Sequence, residues 1–367
     1  MRKLFYFSAV TALLSGCAHT PTMTPSISLS MPPKPETSNK TALQIYEKLP
    51  TYAEAAKLPW QPLTKDSPDE IRARLIALHD LSPQDPSLVQ GIKQFQLEND
   101  LPRTGVMDQN TVAALNITPA QRFNTLVKAM HQWEKFPENA NSRYIQVNVP
   151  SYTLNLISQG EKIVTMRVIV GRPSRPTPTI TSEITTIIFN PGWNVPKTIL
   201  ANDVIPGMRK NPNYMKEHYD MHIYKNWDKN SPEINPSAID WQTANTSNFV
   251  YRVTAPPSDK NPLGRVKFSF ANEHDVYMHD TPEKSLFALT DRARSSGCVR
   301  LEDSMALVRY FYADNNDLSE DLSQQYLSTY QTKYIQLRNA MPVYLTYILV
   351  TVDANGNVHF WKNIYGE

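Results

Sequence analysis

The hydrophobic period changes once along this chain, and that change sets what it can fold into. Between residues 67 and 136 apolar side chains recur at helical spacing, as in Ile71, Leu75 and Leu78 or Phe123, Val127, Met130 and Trp133. From residue 143 they alternate instead, as in Ile145, Val147 and Val149 or Leu154 and Leu156. A period near 3.6 marks amphipathic helix, and a period of two marks a half-buried strand. The pattern predicts an α+β protein, a small helical unit followed by a mainly β unit, and 367 residues accommodate both with tails to spare.

Finer signals divide the two units. Ser67 and Asp108 stand where helices should start, with further helices expected over about 86–99, 108–116 and 119–136. Strand-like runs follow at Ile163–Val170, Ile184–Phe189 and Val266–Phe270, with helices expected near 282–293 and 303–313. Residues 216–248 interrupt the β pattern with His218, Tyr219, His222, Tyr224, Trp227 and Trp241, and read as a surface loop or a lid. Met341–Val352, the turn Asp353-Ala354-Asn355-Gly356-Asn357 and Val358–Trp361 read as a β-hairpin.

The first residues carry a different signal. Arg2 and Lys3 precede an apolar run, Leu4–Leu14, too short to span a bilayer and fitting a signal peptide over 1–16. The run ends in Leu14-Ser15-Gly16-Cys17, which resembles the lipobox of bacterial lipoproteins. That resemblance implies cleavage before Cys17 and acylation of its thiol, hence a lipid anchor. Ala18 follows, with no aspartate to resemble an inner-membrane retention signal, so the expected location is the outer membrane, facing the periplasm. Residues 17–40, rich in Pro, Ser and Thr, read as a disordered tether, and 41–66 as a scaffold segment. The chain has two cysteines, so lipidation of Cys17 leaves Cys298 a lone thiol in an oxidising compartment. A net charge of +2 offers no basic stripe for nucleic acid.

Around Cys298 the residues assemble a chemistry. Tyr277 and His279 are two apart on an expected strand and so share a face. Thr281-Pro282-Glu283 reads as the start of a returning helix, Gly297 permits a tight approach before Cys298, and a helix starting near Asp303 would favour a thiolate. A thiolate attacking a carbonyl needs a base and donors for the oxyanion. His279 is the candidate base, and the N–H groups of Gly297 and Cys298 with the Tyr277 hydroxyl are candidate donors. A buried structural cysteine beside an unrelated histidine is the plainer alternative.

His279 with Cys298 19 positions on, inside Ser295-Ser296-Gly297-Cys298-Val299-Arg300, resembles the active-site signature of L,D-transpeptidases with the YkuD-type catalytic fold, a β-sandwich with helices. Val170-Gly171-Arg172-Pro173, Thr177-Pro178, Asn190–Pro196 with Trp193, and Asn261-Pro262-Leu263-Gly264 before Val266-Lys267-Phe268 extend the resemblance over roughly 143–366, toward the YcbB-like subgroup. Ser296 stands where many members carry histidine, as in that subgroup, and would position backbone or substrate. The helical unit is similar, more loosely, to a type-1 peptidoglycan-binding domain through Ile92–Gln96, Leu101, Gly105–Asp108 and Thr111–Leu115. Asp100 and Asp108 replace glycines usual there, so a structural spacer is the alternative. The boundaries that follow are a helical domain at 67–118, a connecting helix at 119–142 and a catalytic domain at 143–367 with its lid near 216–248.

The resemblance implies the reaction. Cys298 would attack the third residue of a tetrapeptide stem, releasing D-alanine, and a second stem's amine would take the acyl group to give a 3→3 cross-link, with carbapenems acylating Cys298. It implies no metal or organic cofactor. The partners would be stem peptides, the membrane through the anchor, and other cell-wall synthesis proteins. Hydrolysis, attachment or release of a protein on the wall, and a non-catalytic peptidoglycan-binding lipoprotein are the competing functions. Arg300 is a candidate for a substrate carboxylate, or pairs with Glu302 or Asp303, and Arg294 is similar. Trp193 reads as core or cleft wall, and Asn272 either braces the catalytic strand or lines the pocket. His274 and His279 fall on opposite faces of a strand, which disfavours a metal site.

Overall fold

The computed structural model describes residues 29–37, 39–64, 67–136, 143–228 and 230–366. The expected signal peptide, Cys17 and most of the tether lie outside the described residues, and no helix among those described is long and apolar enough to cross a membrane.

Five helices come first: α1 (Lys40–Ala55), α2 (Pro68–Ala77), α3 (Leu88–Glu98), α4 (Gln109–Leu115) and α5 (Pro119–Trp133). Asp108 caps α4 through the Thr111 N–H, and Thr118 with Gln121 forms a capping box on α5. Ser67 stands at the start of α2 but makes no capping bond; Pro68 in the first turn sets the start instead. Long α1 packs along α5 through Ile45, Leu49, Phe123, Leu126 and Met130.

The β unit opens with β1 (Arg143–Asn148), β2 (Thr153–Ser158), β3 (Glu161–Gly171), β4 (Ile180–Phe189) and the short β5 (Trp193–Asn194). After these come β6 (His222–Tyr224), β7 (Glu233–Ile234), β8 (Arg252–Ala255), β9 (Val266–Phe270) and β10 (Met278–His279). The chain finishes with β11 (Ala293–Ser295), β12 (Val299–Leu301), β13 (Lys333–Thr346), β14 (Val350–Val352) and β15 (Val358–Phe360). The main sheet runs β11-β3-β12-β10-β9-β4-β13-β1-β2, and β2 pairs again with β3, so one sheet folds back on itself and closes. Its inward residues, Ile145, Val147, Leu154, Ile187, Phe189, Phe268 and Met278 among them, form one apolar core. The expected sandwich is thus a single closed sheet, which leaves few free edges.

Three expectations change on inspection. No α-helix spans 282–293: a short 3-10 turn, Lys284–Ala288, gives way to β11, which runs parallel to β3 through Ala293↔Val170. Pairing with β3, and Arg292 donating to the Val168 carbonyl, override the local helical preference. The interruption is also larger than 216–248. Residues 193–255 build their own four-stranded sheet, β5-β8-β6-β7, around Trp193, Met208, Met215, Ile223, Trp241 and Val253. Finally, the expected hairpin arm Met341–Val352 is split: Met341–Thr346 belongs to β13 of the main sheet, and only Val350–Val352 pairs with Val358–Phe360, in a short hairpin that packs on the helices. Val350, Val358 and Phe360 join the helical core, Trp133 donates to the Val350 carbonyl at 2.9 Å, and the Arg122 guanidinium lies 4.8 Å over the Phe360 ring.

Candidate active site

Cys298 sits in a tight turn between β11 and β12. Gly297 holds φ at +117°, a conformation that side-chain-bearing residues avoid. The buried Ser295 hydroxyl closes the turn, accepting from the Gly297 N–H at 3.1 Å and donating to the Cys298 carbonyl at 2.6 Å. The equally buried Thr177 hydroxyl donates to the Gly297 carbonyl at 2.7 Å and accepts from the Gly171 N–H at 2.8 Å. Tyr365, near the C-terminus, then clamps that loop: its hydroxyl donates to the Gly171 carbonyl at 2.6 Å and accepts from the Thr177 N–H at 3.1 Å. Ser296 accepts from Arg175 at 3.0 Å, and Arg175 pairs with Asp203 at 2.6 Å. Ser296 is therefore tied to the inserted unit.

These bonds correct one expected donor. The Gly297 N–H is spent on Ser295, whereas the Cys298 N–H has no acceptor among the described residues. The thiol is partly exposed, and its sulfur lies 3.9 Å from the Asp275 carbonyl.

β10 runs parallel to β12 with Met278 opposite Val299, which sets Tyr277 level with Cys298 and His279 level with Arg300. The Tyr277 hydroxyl is within hydrogen-bonding reach of Cys298 on one side and of Trp193 on the other. Trp193, read from the sequence as core or cleft wall, is buried in the core of the inserted unit and reaches the site through Tyr277. Burial pushes the Tyr277 hydroxyl well above its usual range, so it is a donor, and burial also pushes the Cys298 thiol up.

His279 is almost fully buried. Its Nδ1 donates to the Asp280 carbonyl at 2.5 Å, the Leu263 carbonyl is within reach, and its ring stands 5.6 Å from that of Tyr277. None of these bonds reaches Cys298. Burial, with the Arg300 and Lys267 charges, pushes the imidazole down to about 3, which favours its neutral form. Asp280 braces it from behind, accepting from Lys284 at 2.6 Å and from the Arg265 N–H at 2.9 Å.

The remaining candidates are placed as follows. Arg300 pairs with Glu283, while Glu302 is taken by Arg167, so the expected Arg300–Glu302 alternative does not form. Asn272 braces the turn before β10, donating to the Phe270 and Val276 carbonyls and accepting from the His274 and Val276 N–H groups. The exposed Arg294 donates to the Asp291 carbonyl. Asp303 does cap the helix Ser304–Tyr310, but β12 lies between it and Cys298. At about 3.3 Å per strand residue that puts the helix some 15 Å from the thiol, too far for its dipole to hold a thiolate. No metal-binding cluster of His, Cys, Asp or Glu occurs among the described residues.

Sequence reasoning missed Thr177, Ser295, Tyr365 and Lys267 as site residues. Lys267 lies on β9 level with His279, and its Nζ stands 3.7 Å from the Tyr277 ring centroid. The only sequence signal for it is a cation between the alternating Val266, Phe268 and Phe270, which reads equally as a solvated face. Two cavities, of about 340 and 390 Å³, lie elsewhere, one between the helices and the outer face of β1–β3, the other behind Asp280 beside Lys284 and Asp303.

Comparison with known proteins bears on this geometry. Residues 142–316 match the family model of the L,D-transpeptidase catalytic domain (YkuD), and residues 67–115 match that described as "Putative peptidoglycan binding domain". A "Putative L,D-transpeptidase" of Haemophilus influenzae is 36% identical over 222 residues, covering 60% of this chain and 44% of that relative. The chain thus spans less than half of the length of the curated relative it matches. Among solved structures, an L,D-transpeptidase from Mycobacterium smegmatis shares 12% identity over 56% of this chain and 59% of its own, with a TM-score of 0.25. One from Stackebrandtia nassauensis shares 14% over 77% and 92%, with a TM-score of 0.26.

Proposed function

Proceeding from an L,D-transpeptidase catalytic domain over residues 142–316, we propose that this chain is a cysteine acyltransferase that forms 3→3 cross-links in peptidoglycan. The observation that carries the reading is the setting of Cys298: a partly exposed thiol whose own N–H has no acceptor among the described residues, with the Tyr277 hydroxyl in hydrogen-bonding reach.

Cys298 loses its proton and its sulfur attacks the carbonyl of the third stem residue, a diaminopimelate. The Cys298 N–H and the Tyr277 hydroxyl receive the oxyanion. His279, neutral and so able to accept, is the base, with its contact to the reacting atoms made in the substrate complex. The proton passes to the departing amine, D-alanine leaves, and a thioester remains. The side-chain amine of a second stem then displaces the sulfur, giving the amide cross-link and regenerating the thiol. The inserted unit over 193–255, carrying Trp193 against Tyr277, excludes water and favours amine over hydrolysis. Ser296, held by Arg175, and Gly297 shape the turn; Arg300 paired with Glu283 forms the cleft wall. The steps need no metal or cofactor. The helical domain at 67–118 and the connecting segment at 119–142, which contains α5, carry the catalytic domain at 143–367 to the wall. Cleavage of 1–16, lipidation of Cys17 and a tether at 17–40 place the chain at the periplasmic face of the outer membrane.

The test is intact-mass spectrometry of the purified protein with a disaccharide-tetrapeptide. A tripeptide adduct on Cys298 with release of D-alanine is expected, and neither in Cys298→Ala. Equal D-alanine release by that variant overturns the reading.

A further inference from the structure

Lys267 has no part in the steps above, yet the fold places it among the reacting groups. Along β9, Val266, Phe268 and Phe270 point into the closed sheet's core, and Lys267 turns to the opposite face. Its register partner is His279, two residues from Tyr277, so all three side chains share a face, and the ammonium rests 3.7 Å from the centre of the Tyr277 ring. A cation that close to a ring face is held by the ring's quadrupole. Burial lowers its proton affinity, and the charges of Cys298 and Asp275 raise it.

The thiol needs such a cation. The groups facing it are Tyr277 and His279 from β10, Lys267 from β9, Arg300 from β12, and Asp275 from the preceding turn. His279 is neutral, no helix N-terminus points at the sulfur, and Arg300 is tied to Glu283. That leaves Lys267, which forms no close ion pair among the described residues, although the Asp275 charge acts on it from farther off. We propose that Lys267 is the positioning residue that favours ionisation of Cys298 against the effect of burial, its ammonium acting across the Tyr277 ring so that the phenol donates to the sulfur. When the thiol ionises for attack its proton passes to His279 as in the steps above, Lys267 keeps its own, and no other bond changes.

The inference rests on Cys298 being the nucleophile, and its test avoids the acyl substrate altogether. The full chain is treated with iodoacetamide across pH 5 to 10, and modification is read on the Cys298 peptide by mass, separately from Cys17. Lys267→Met is expected to react about tenfold more slowly than wild type at neutral pH, with its midpoint about one pH unit higher. Lys267→Gln gives the same shift should the Met variant fold poorly, and Lys267→Arg restores the wild-type profile. An unmoved midpoint in both neutral variants overturns the proposal, as does a shift that Arg fails to restore. If the profile is unmoved while wild type still forms the acyl-enzyme, this inference falls and the transpeptidase reading stands; an absent acyl-enzyme with a shifted profile means the reverse.

Discussion

Replacing Thr177 with valine removes one hydroxyl and almost no volume, so it isolates what that hydroxyl holds. In the native protein it accepts from the Gly171 N–H and donates to the Gly297 carbonyl, both buried. The variant keeps the packing and orphans one donor and one acceptor. Each orphaned buried group costs about 1–3 kcal/mol, and relaxation of the turn recovers some of it, so the expected loss is about 2–4 kcal/mol. Thr177→Ser, which keeps the hydroxyl and loses one methyl, should cost only about 1 kcal/mol. Urea unfolding followed by near-ultraviolet circular dichroism measures both. Because the freed carbonyl belongs to the residue before Cys298, the proposed mechanism expects kcat to fall about ten- to a hundredfold through misplacement of the thiol. A valine variant within about 0.5 kcal/mol of wild type, or a serine variant as damaged as the valine one, refutes the account of the clamp.

Three further outcomes are expected. The folded imidazole of His279 lies near 3 against an unfolded value near 6.5, so the unfolded state binds the extra proton between them. The stability this contributes is fully present above about pH 6.5 and lost as pH falls toward 3, about 2 kcal/mol of it between pH 7 and 5. His279→Gln should lack that component of the urea-derived pH profile, and parallel profiles would count against a buried neutral imidazole. Gly264→Ala places a Cβ against the Asp280 carboxylate at φ +61° and should cost about 2 kcal/mol or more, whereas a gain, as at unstrained glycines, contradicts the packing. A carbapenem should add its mass to Cys298 in wild type and to nothing in Cys298→Ala; labelling elsewhere in the catalytic unit sinks the nucleophile assignment.

The period change at residue 143 made the two units legible, because burial on one side forces alternation in a strand and a stripe on a helix. The shared face of Tyr277 and His279 was legible for the same reason. What escaped depended on tertiary partners. Residues 282–293 have helical character, but β3 offered Ala293–Ser295 a ladder that no local window contains. The Gly297 N–H looked available until Ser295, a neighbour in sequence, proved to be folded back onto it. Thr177 and Tyr365 clamp the Cys298 turn and the loop behind it across 120 and 194 residues of chain, and nothing in either residue's surroundings announces a partner so distant. Val358 and Phe360 were readable as strand, but not as part of the helices' core.

The central claim is that Cys298 transfers the acyl group of one stem to the amine of another. Muropeptide analysis by liquid chromatography and mass spectrometry, after incubating sacculi rich in tetrapeptides with the purified protein, measures this directly. The account predicts that 3→3 dimers rise with wild-type protein and stay at background with Cys298→Ala. Equal dimer formation by the two proteins would contradict it.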